Sequence, residues 1–393
     1  MKVTQRDARS SRLRALPAYL FEDLVRLRHD TEARGMDVID LSIGDPDLGA
    51  PQAVVEALRK YAGDPRLHCY TPQWVINKFN EAAAAWMKRR FGVSLDPAGE
   101  IFPLIGTKEG LAHLPLAVLD PGDTALVPDP GYPVYSRGVW FAGGRVEWMR
   151  LAGERGFLPD LGALKAKTVK LVFVNYPNNP TSAVATPDFY GSLVEWARQA
   201  NAFVASDAAY SEVAFDGHTS ASILSLPGAK DLAIEFHSFS KTFNMAGWRV
   251  GFAAGQADLI GSLRALKSNI DSNVFGPVLM ASMAALDEGW PSLASTLEEY
   301  GVRRSLICRC LEECGIEYHR SPATLYVWAR VPGRMKSIEF ARVLLERAGL
   351  LVAPGVGFGE GGEGYFRISI TCPTSRVKAA GERLHEVAKL WKE

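Results

Sequence analysis

The chain has 393 residues, of which 47% are hydrophobic and 22% charged, and its formal net charge is zero. That balance argues against nucleic acid or an anionic membrane as partner, because both recruit a basic excess or a basic patch. At this length one core is too small a plan, so a large domain with a smaller companion is expected.

The N-terminal stretch MKVTQRDARSSRLRALPAYLF is basic, but its apolar run is short, is broken by Pro17 and passes straight into EDLVRLRHD. It reads as part of the folded chain rather than as a targeting peptide. No run approaches a membrane span, so a cytoplasmic protein is expected. Five cysteines, Cys69, Cys308, Cys310, Cys314 and Cys372, are sparse and odd in number, which suits a reducing compartment. In CRCLEEC a helical pattern sets Cys310 and Cys314 on one face and Cys308 elsewhere. No metal site is expected there, since a structural zinc needs four converging ligands and no His joins at suitable spacing.

VVEALRKYA and NEAAAAWMKRRFG read as helices, the second stopped by Gly92. Short apolar runs follow, each ending in a polar or Gly/Pro cluster: TALVPDPGY, RVEWMRL, VKLVFVNYPNNP, AFVASDAAY, AIEFHSFSK and WRVGFAAG. Helical patterns lie between several of them. One is TPDFYGSLVEWARQAN, with Thr186 as N-cap and Pro187 in the first turn. Continuous apolar strands separated by helices predict an α/β fold with a mainly parallel sheet covered on both faces. After about residue 290 long charged helices surround the strands TLYVWARV and YFRISI, which predicts a smaller α+β domain. The expected division is an arm and the start of the small domain over 1–47, a large domain over 48–290 and a small domain over 291–393.

Ligands of an open α/β sheet gather beyond the carboxyl ends of its strands. Asn175 to Pro180 follow one run, Asp207 and Tyr210 the next, and Ser238, Ser240 and Lys241 a third, so an amide, a carboxylate, a phenol, hydroxyls and an amine meet at one edge. Gly106, Thr107 and Lys108 lead directly into a helix, whose free N–H groups and dipole make either an anion site or a simple cap. Taken singly, Tyr132 or Tyr210 reads equally as a packed aromatic, and Arg367 as an ion-pair partner.

Together these residues resemble the fold type I pyridoxal-phosphate enzymes of the aspartate aminotransferase superfamily. NYPNNPT, SDAAY, SFSK and Arg249, eight positions after Lys241, stand in that superfamily's order, and the likeness runs from DLSIGDPD to YFRISI. LPAYLF, IGDPD, DPGYPVY and YVWARVP are similar to LL-diaminopimelate aminotransferases and to their aspartate, alanine and aromatic relatives.

The resemblance implies pyridoxal 5′-phosphate as cofactor, with Lys241 forming the Schiff base and then moving the proton at the substrate Cα. It implies that Asp207 pairs with the pyridine nitrogen, Asn179 and Tyr210 bond the ring hydroxyl, and Tyr132 stacks on the ring. Gly106, Thr107, Lys108, Ser238, Ser240 and Arg249 would hold the phosphate, and Tyr70 would be lent to the neighbouring subunit of a homodimer. Arg367 would clamp the substrate α-carboxylate, with Gly44 offering its backbone to the same group.

Three positions depart from the pattern: Val75 and Asn80 where relatives carry glycine and arginine, and Ser182 where NPTG carries glycine. They predict a bulkier substrate loop in which Gln73, Trp74 and Val75 reshape the pocket or its lid. Two reactions stay open, ping-pong transamination between an amino acid and a 2-oxo acid, and elimination, replacement or carbon–carbon bond formation from the same carbanion. A non-catalytic regulator would need an added DNA-binding domain, for which the early start of the pattern leaves no room.

Overall fold

A computed structural model of the chain describes residues 8–14, 16, 20–164, 168–320 and 322–389. Pro17 lies outside them. Strand β1 (Ile39–Asp40) is followed by β2 (Ile101–Leu104), β3 (Thr124–Asp129), β4 (Arg145–Arg150), β5 (Val169–Asn175), β6 (Phe203–Asp207), β7 (Ala233–Ser238) and β8 (Gly251–Gly255). The last seven form one sheet in the order β2-β8-β7-β6-β5-β3-β4. Strands β3 to β7 pair in parallel, whereas β8 runs antiparallel to both β7 and β2.

The reversal follows from chain length. Between β7 and β8 lie only a four-residue helix, Phe239–Thr242, and the turn Ala246–Trp248, with no helix long enough for a crossover. A reversing loop is thereby left at the carboxyl edge of the sheet, and Lys241 sits in it.

Two of the parallel connections run through helices, Val134–Phe141 between β3 and β4 and Pro187–Ala200 between β5 and β6. In the second, Thr186 accepts the Phe189 amide at the start, and Asn201, at φ 52°, closes the helix in the left-handed region. The inner strands are buried on both faces, as their unbroken apolar runs require.

The chain continues through β9 (Tyr318–His319), β10 (Tyr326–Arg330), β11 (Leu350–Leu351), β12 (Ala353–Pro354) and β13 (Tyr365–Ser369). A second, antiparallel sheet has the order β12-β13-β10-β9, and β11 pairs in parallel with β1. Side chains alternate along β13. Phe366 and Ile368 enter the core with Phe340 and Leu344, which leaves Arg367 facing the opposite way, toward the large sheet.

Two expectations are corrected. Gln73, Trp74 and Val75 are not a loop but the first turn of the helix Gln73–Phe91, because no breaker separates them from the helix formers that follow Pro72. Val75 packs fully buried in the core and Trp74 lies on the outer surface under Lys78. Asn80, also buried, ties this helix to the sheet by donating to the carbonyls of Pro97 and Ile101.

A histidine also joins the cysteine pair. His385, from the helix Thr374–Ala388, brings its ring within 4.8 Å of the Cys310 and Cys314 thiols. Its Nδ1 lies 2.9 Å from the Gly381 carbonyl and its Nε2 2.9 Å from Glu313. Burial pushes the Cys310 thiol up to about 12.

Candidate active site

The carboxyl ends of β5, β6 and β7 open into a cavity of about 770 Å³ between the two sheets. Strand register does the first placing: Asn175 is paired with Asp207 across β5 and β6, and its amide donates to the Asp207 carbonyl at 2.7 Å. The Asn175 side-chain oxygen accepts the Asn179 amide at 2.7 Å and so folds the following loop back over the sheet edge.

Asp207 is 4% exposed and lines the cavity. Its carboxylate accepts from the Tyr135 hydroxyl at 2.8 Å and from the Ala209 amide at 3.1 Å. Both donors are neutral, and burial raises the carboxyl to about 6. An aromatic N–H⁺ reaching it from the cavity would supply the cationic partner that such a group calls for. Tyr135 was not singled out in the sequence. Its ring stacks on Phe173 within the core, and only the fold aims its hydroxyl at Asp207.

Lys241 reaches the opposite wall, where its amine donates to the Gly44 carbonyl at 2.6 Å. Thr107 and Lys108 open the helix Thr107–Val118 beside it, and Ser238, Ser240 and Arg249 come from the β7–β8 connection. In donor type these groups, a helix N-terminus, hydroxyls, a lysine and a guanidinium, suit an anion such as phosphate. Gly106 lies beneath them at φ 76°, and a Cβ there would stand 2.3 Å from Arg249 Nη2. Gly106→Ala therefore strains the backbone and displaces the arginine together, and equilibrium dialysis is expected to show cofactor affinity weakened about tenfold or more.

Arg367 enters from β13, 5% exposed, with its guanidinium between the rings of Tyr326 at 4.0 Å and Phe358 at 4.6 Å. It donates to Asn179 Oδ1 and to the Ser42 carbonyl, each at 2.6 Å, while its Nε is buried without a partner among the described residues. A planar, desolvated fork of this kind suits a carboxylate.

Gly44, Thr107, Lys108, Tyr132, Asn179, Asp207, Tyr210, Ser238, Ser240, Lys241, Arg249 and Arg367 thus meet at one cavity. Trp74 and Val75 do not line it. Tyr70 is 84% exposed beside a separate surface groove.

The residues lining this cavity fit pyridoxal phosphate: donors suited to an anion, a buried acid that calls for a cationic partner, and an amine. Comparison with known proteins agrees. A family model described as aminotransferase class I and II matches residues 36–384. The chain is 47% identical to LL-diaminopimelate aminotransferase of Aquifex aeolicus, covering 95% of this chain and 98% of that one. With its namesake from Desulforudis audaxviator it shares 48% identity over 95% and 96% of the two chains. Among solved structures, substrate-bound BacF from Bacillus subtilis superposes with a TM-score of 0.93 at 35% identity, covering 98% of each chain. The chain belongs to the class I and II aminotransferases, pyridoxal-phosphate-dependent transferases of the α/β fold described above.

Proposed function

We propose that the protein moves an amino group from a diamino dicarboxylic acid of the LL-diaminopimelate type to a 2-oxo acid, in two half-reactions at one cavity. The observation that carries this reading is the joint presence of Lys241, Asp207 and Arg367 on a cavity that charges of both signs, Arg28, Asp40 and Arg137, also line. A second amino and carboxylate group at the far end of a substrate needs such a lining. The names of the two relatives point to the same substrate.

When bound, pyridoxal phosphate supplies the electron-withdrawing ring and the carbonyl carbon that receives the amino group. The chain supplies the rest. Lys241 Nζ takes the proton from the substrate Cα and returns it to the cofactor side, a short transfer for an amine on the β7–β8 connection. Asp207 holds the proton on the ring nitrogen. Arg367 turns its fork from Asn179 and Ser42 to the α-carboxylate, orienting the Cα–H bond toward Lys241. Asn179 and Tyr210 would donate to the cofactor's ring oxygen, Tyr132 would pack against it, and Gly106, Thr107, Lys108, Ser238, Ser240 and Arg249 would hold its phosphate.

Tyr70, exposed and apart from its own chain's cavity, completes the neighbouring site in a homodimer. Tyr70→Phe is expected to raise the cofactor dissociation constant about fivefold, the loss of one hydrogen bond, with dimerisation unchanged by light scattering. The five cysteines form no disulfide, which supports a reducing, cytoplasmic setting, and no helix among the described residues is long and apolar enough to cross a membrane.

The elimination reading has no support among the relatives. The deciding experiment mixes the yellow protein with single amino acids, LL-diaminopimelate and methionine derivatives included, and follows the visible band together with product masses. Loss of the band with release of the matching 2-oxo acid is expected for LL-diaminopimelate. A product that has lost a leaving group, with the amino group not retained by the protein, overturns the reading.

A further inference from the structure

Tyr326 lies against three residues of the cavity, Tyr210, Arg367 and Gly44. Its hydroxyl lies 2.9 Å from that of Tyr210, and its ring carries the Arg367 guanidinium at 4.0 Å. The same hydroxyl stands where a side chain on residue 44 would begin: a Cβ there would come within 2.0 Å of it. Residue 44 is thus a glycine because Tyr326 passes over it, and it is the Gly44 carbonyl that receives the Lys241 amine.

The backbone of Tyr326 is held by hydroxyl bonds from two residues distant from each other in sequence. Its N–H donates to Thr324 Oγ1 at 3.1 Å, Ser182 and Thr324 share a hydroxyl bond at 2.6 Å, and Ser182 Oγ donates to the Tyr326 carbonyl at 2.9 Å. Since the single Ser182 proton goes to that carbonyl, the shared bond must use the Thr324 proton. The three bonds then close a ring that begins and ends on Tyr326. Ser182 sits at φ 62° and Thr324 at φ 73°, left-handed conformations that glycine adopts freely and a β-branched threonine resists. Both side chains are almost wholly buried. Two buried residues in left-handed conformations whose hydroxyls bond each other and both backbone groups of one tyrosine point to that tyrosine's placement as what they secure.

We propose that Tyr326 is a positioning residue for the reaction: its hydroxyl orients Tyr210, its ring face seats Arg367, and the Ser182–Thr324 pair clamps its backbone. This rests on the roles proposed above for Tyr210 and Arg367. By donating to Tyr210, Tyr326 leaves the Tyr210 proton free for the cofactor's ring oxygen and strengthens that donation. Burial and the neighbouring phenol both hold Tyr210 protonated, which agrees with a donor role. The ionisable groups that act on Tyr210 besides Tyr326 are Asp207 at the end of β6 and Arg367 on β13, and Lys241, Arg249, Lys108, Tyr132, Arg28, Asp40 and Arg137 line the same cavity.

The test is a pH titration of the visible band of the cofactor-loaded protein, in wild type and in the variants Tyr326→Phe, Tyr326→Leu, Ser182→Ala and Tyr210→Phe. Tyr210→Phe and Tyr326→Phe are each expected to raise the midpoint, the second by about half to one pH unit, because the ring oxygen loses donated charge. In the Tyr210→Phe background, Tyr326→Phe adds nothing. Ser182→Ala shifts the midpoint in the same direction. Tyr326→Leu, which also removes the ring beneath Arg367, weakens amino acid binding about tenfold more than Tyr326→Phe does.

An unmoved midpoint in Tyr326→Phe, with Tyr210→Phe shifted, overturns the proposal and leaves the reading of Tyr210 standing. A midpoint unmoved in Tyr210→Phe overturns both. A Tyr326→Phe shift that persists without the Tyr210 hydroxyl shows that Tyr326 acts by another route, and this too overturns it.

Discussion

Lys241→Ala is expected to lower kcat by at least about 10⁴-fold, the combined loss of a nucleophilic amine and of the proton carrier at the substrate Cα. That loss corresponds to about 5.5 kcal/mol of barrier. Among the described residues Lys108 is the only other lysine that lines the cavity. Lys108, on the same cavity, is exposed at its rim, in the first turn of the helix Thr107–Val118. The donors suited to phosphate are untouched by the substitution, so the cofactor still binds, but hydride reduction followed by mass spectrometry finds no adduct on the chain. Activity within about tenfold of wild type would remove Lys241 from the reaction.

Asp207→Asn separates catalysis from stability. Its kcat is expected to fall about 10³-fold, since a neutral amide cannot hold a proton on the ring nitrogen or stabilise charge developing there. The cofactor-free protein should change in the opposite sense. In the fold the Asp207 carboxyl keeps its proton up to about pH 6, whereas the unfolded chain gives it up near 3.8. The folded state therefore binds more protons over that interval, and stability declines as pH rises from about 4 to 6 and stays lower above it. Asparagine carries no such slope. At pH 7.5 the cofactor-free variant is expected to be more stable than wild type by roughly 1 to 2 kcal/mol in denaturant titrations, with the difference vanishing near pH 4. Equal stability at both pH values would show that Asp207 is not an unpaired buried charge in the empty site.

The two variants rest on residues visible in the sequence for different reasons. Lys241 and Asp207 each follow an apolar run, and a strand buried on both faces can end only by delivering its next polar residues to the sheet edge. Thr186, Pro187 and Gly92 were equally readable, because capping is a contract between neighbours a few residues apart. Trp74 and Val75 were misread for want of the same locality. A substrate loop was expected from their substitution pattern, and the helix Gln73–Phe91 absorbed them, turning Val75 into the core.

The sequence by itself determined the α/β class, the alternation of strands with helices and the residues that follow each strand, since these depend on periodicity and on breakers within one short window. Only the tertiary structure decided which residues from distant segments meet. Tyr135 reaches Asp207 across 72 positions, Tyr326 reaches Tyr210 across 116, and Arg367 reaches Asn179 across 188. No local pattern records such contacts. A phenol that bonds a buried carboxylate and one that merely packs have the same neighbours in sequence, and differ only in what the sheets bring opposite them.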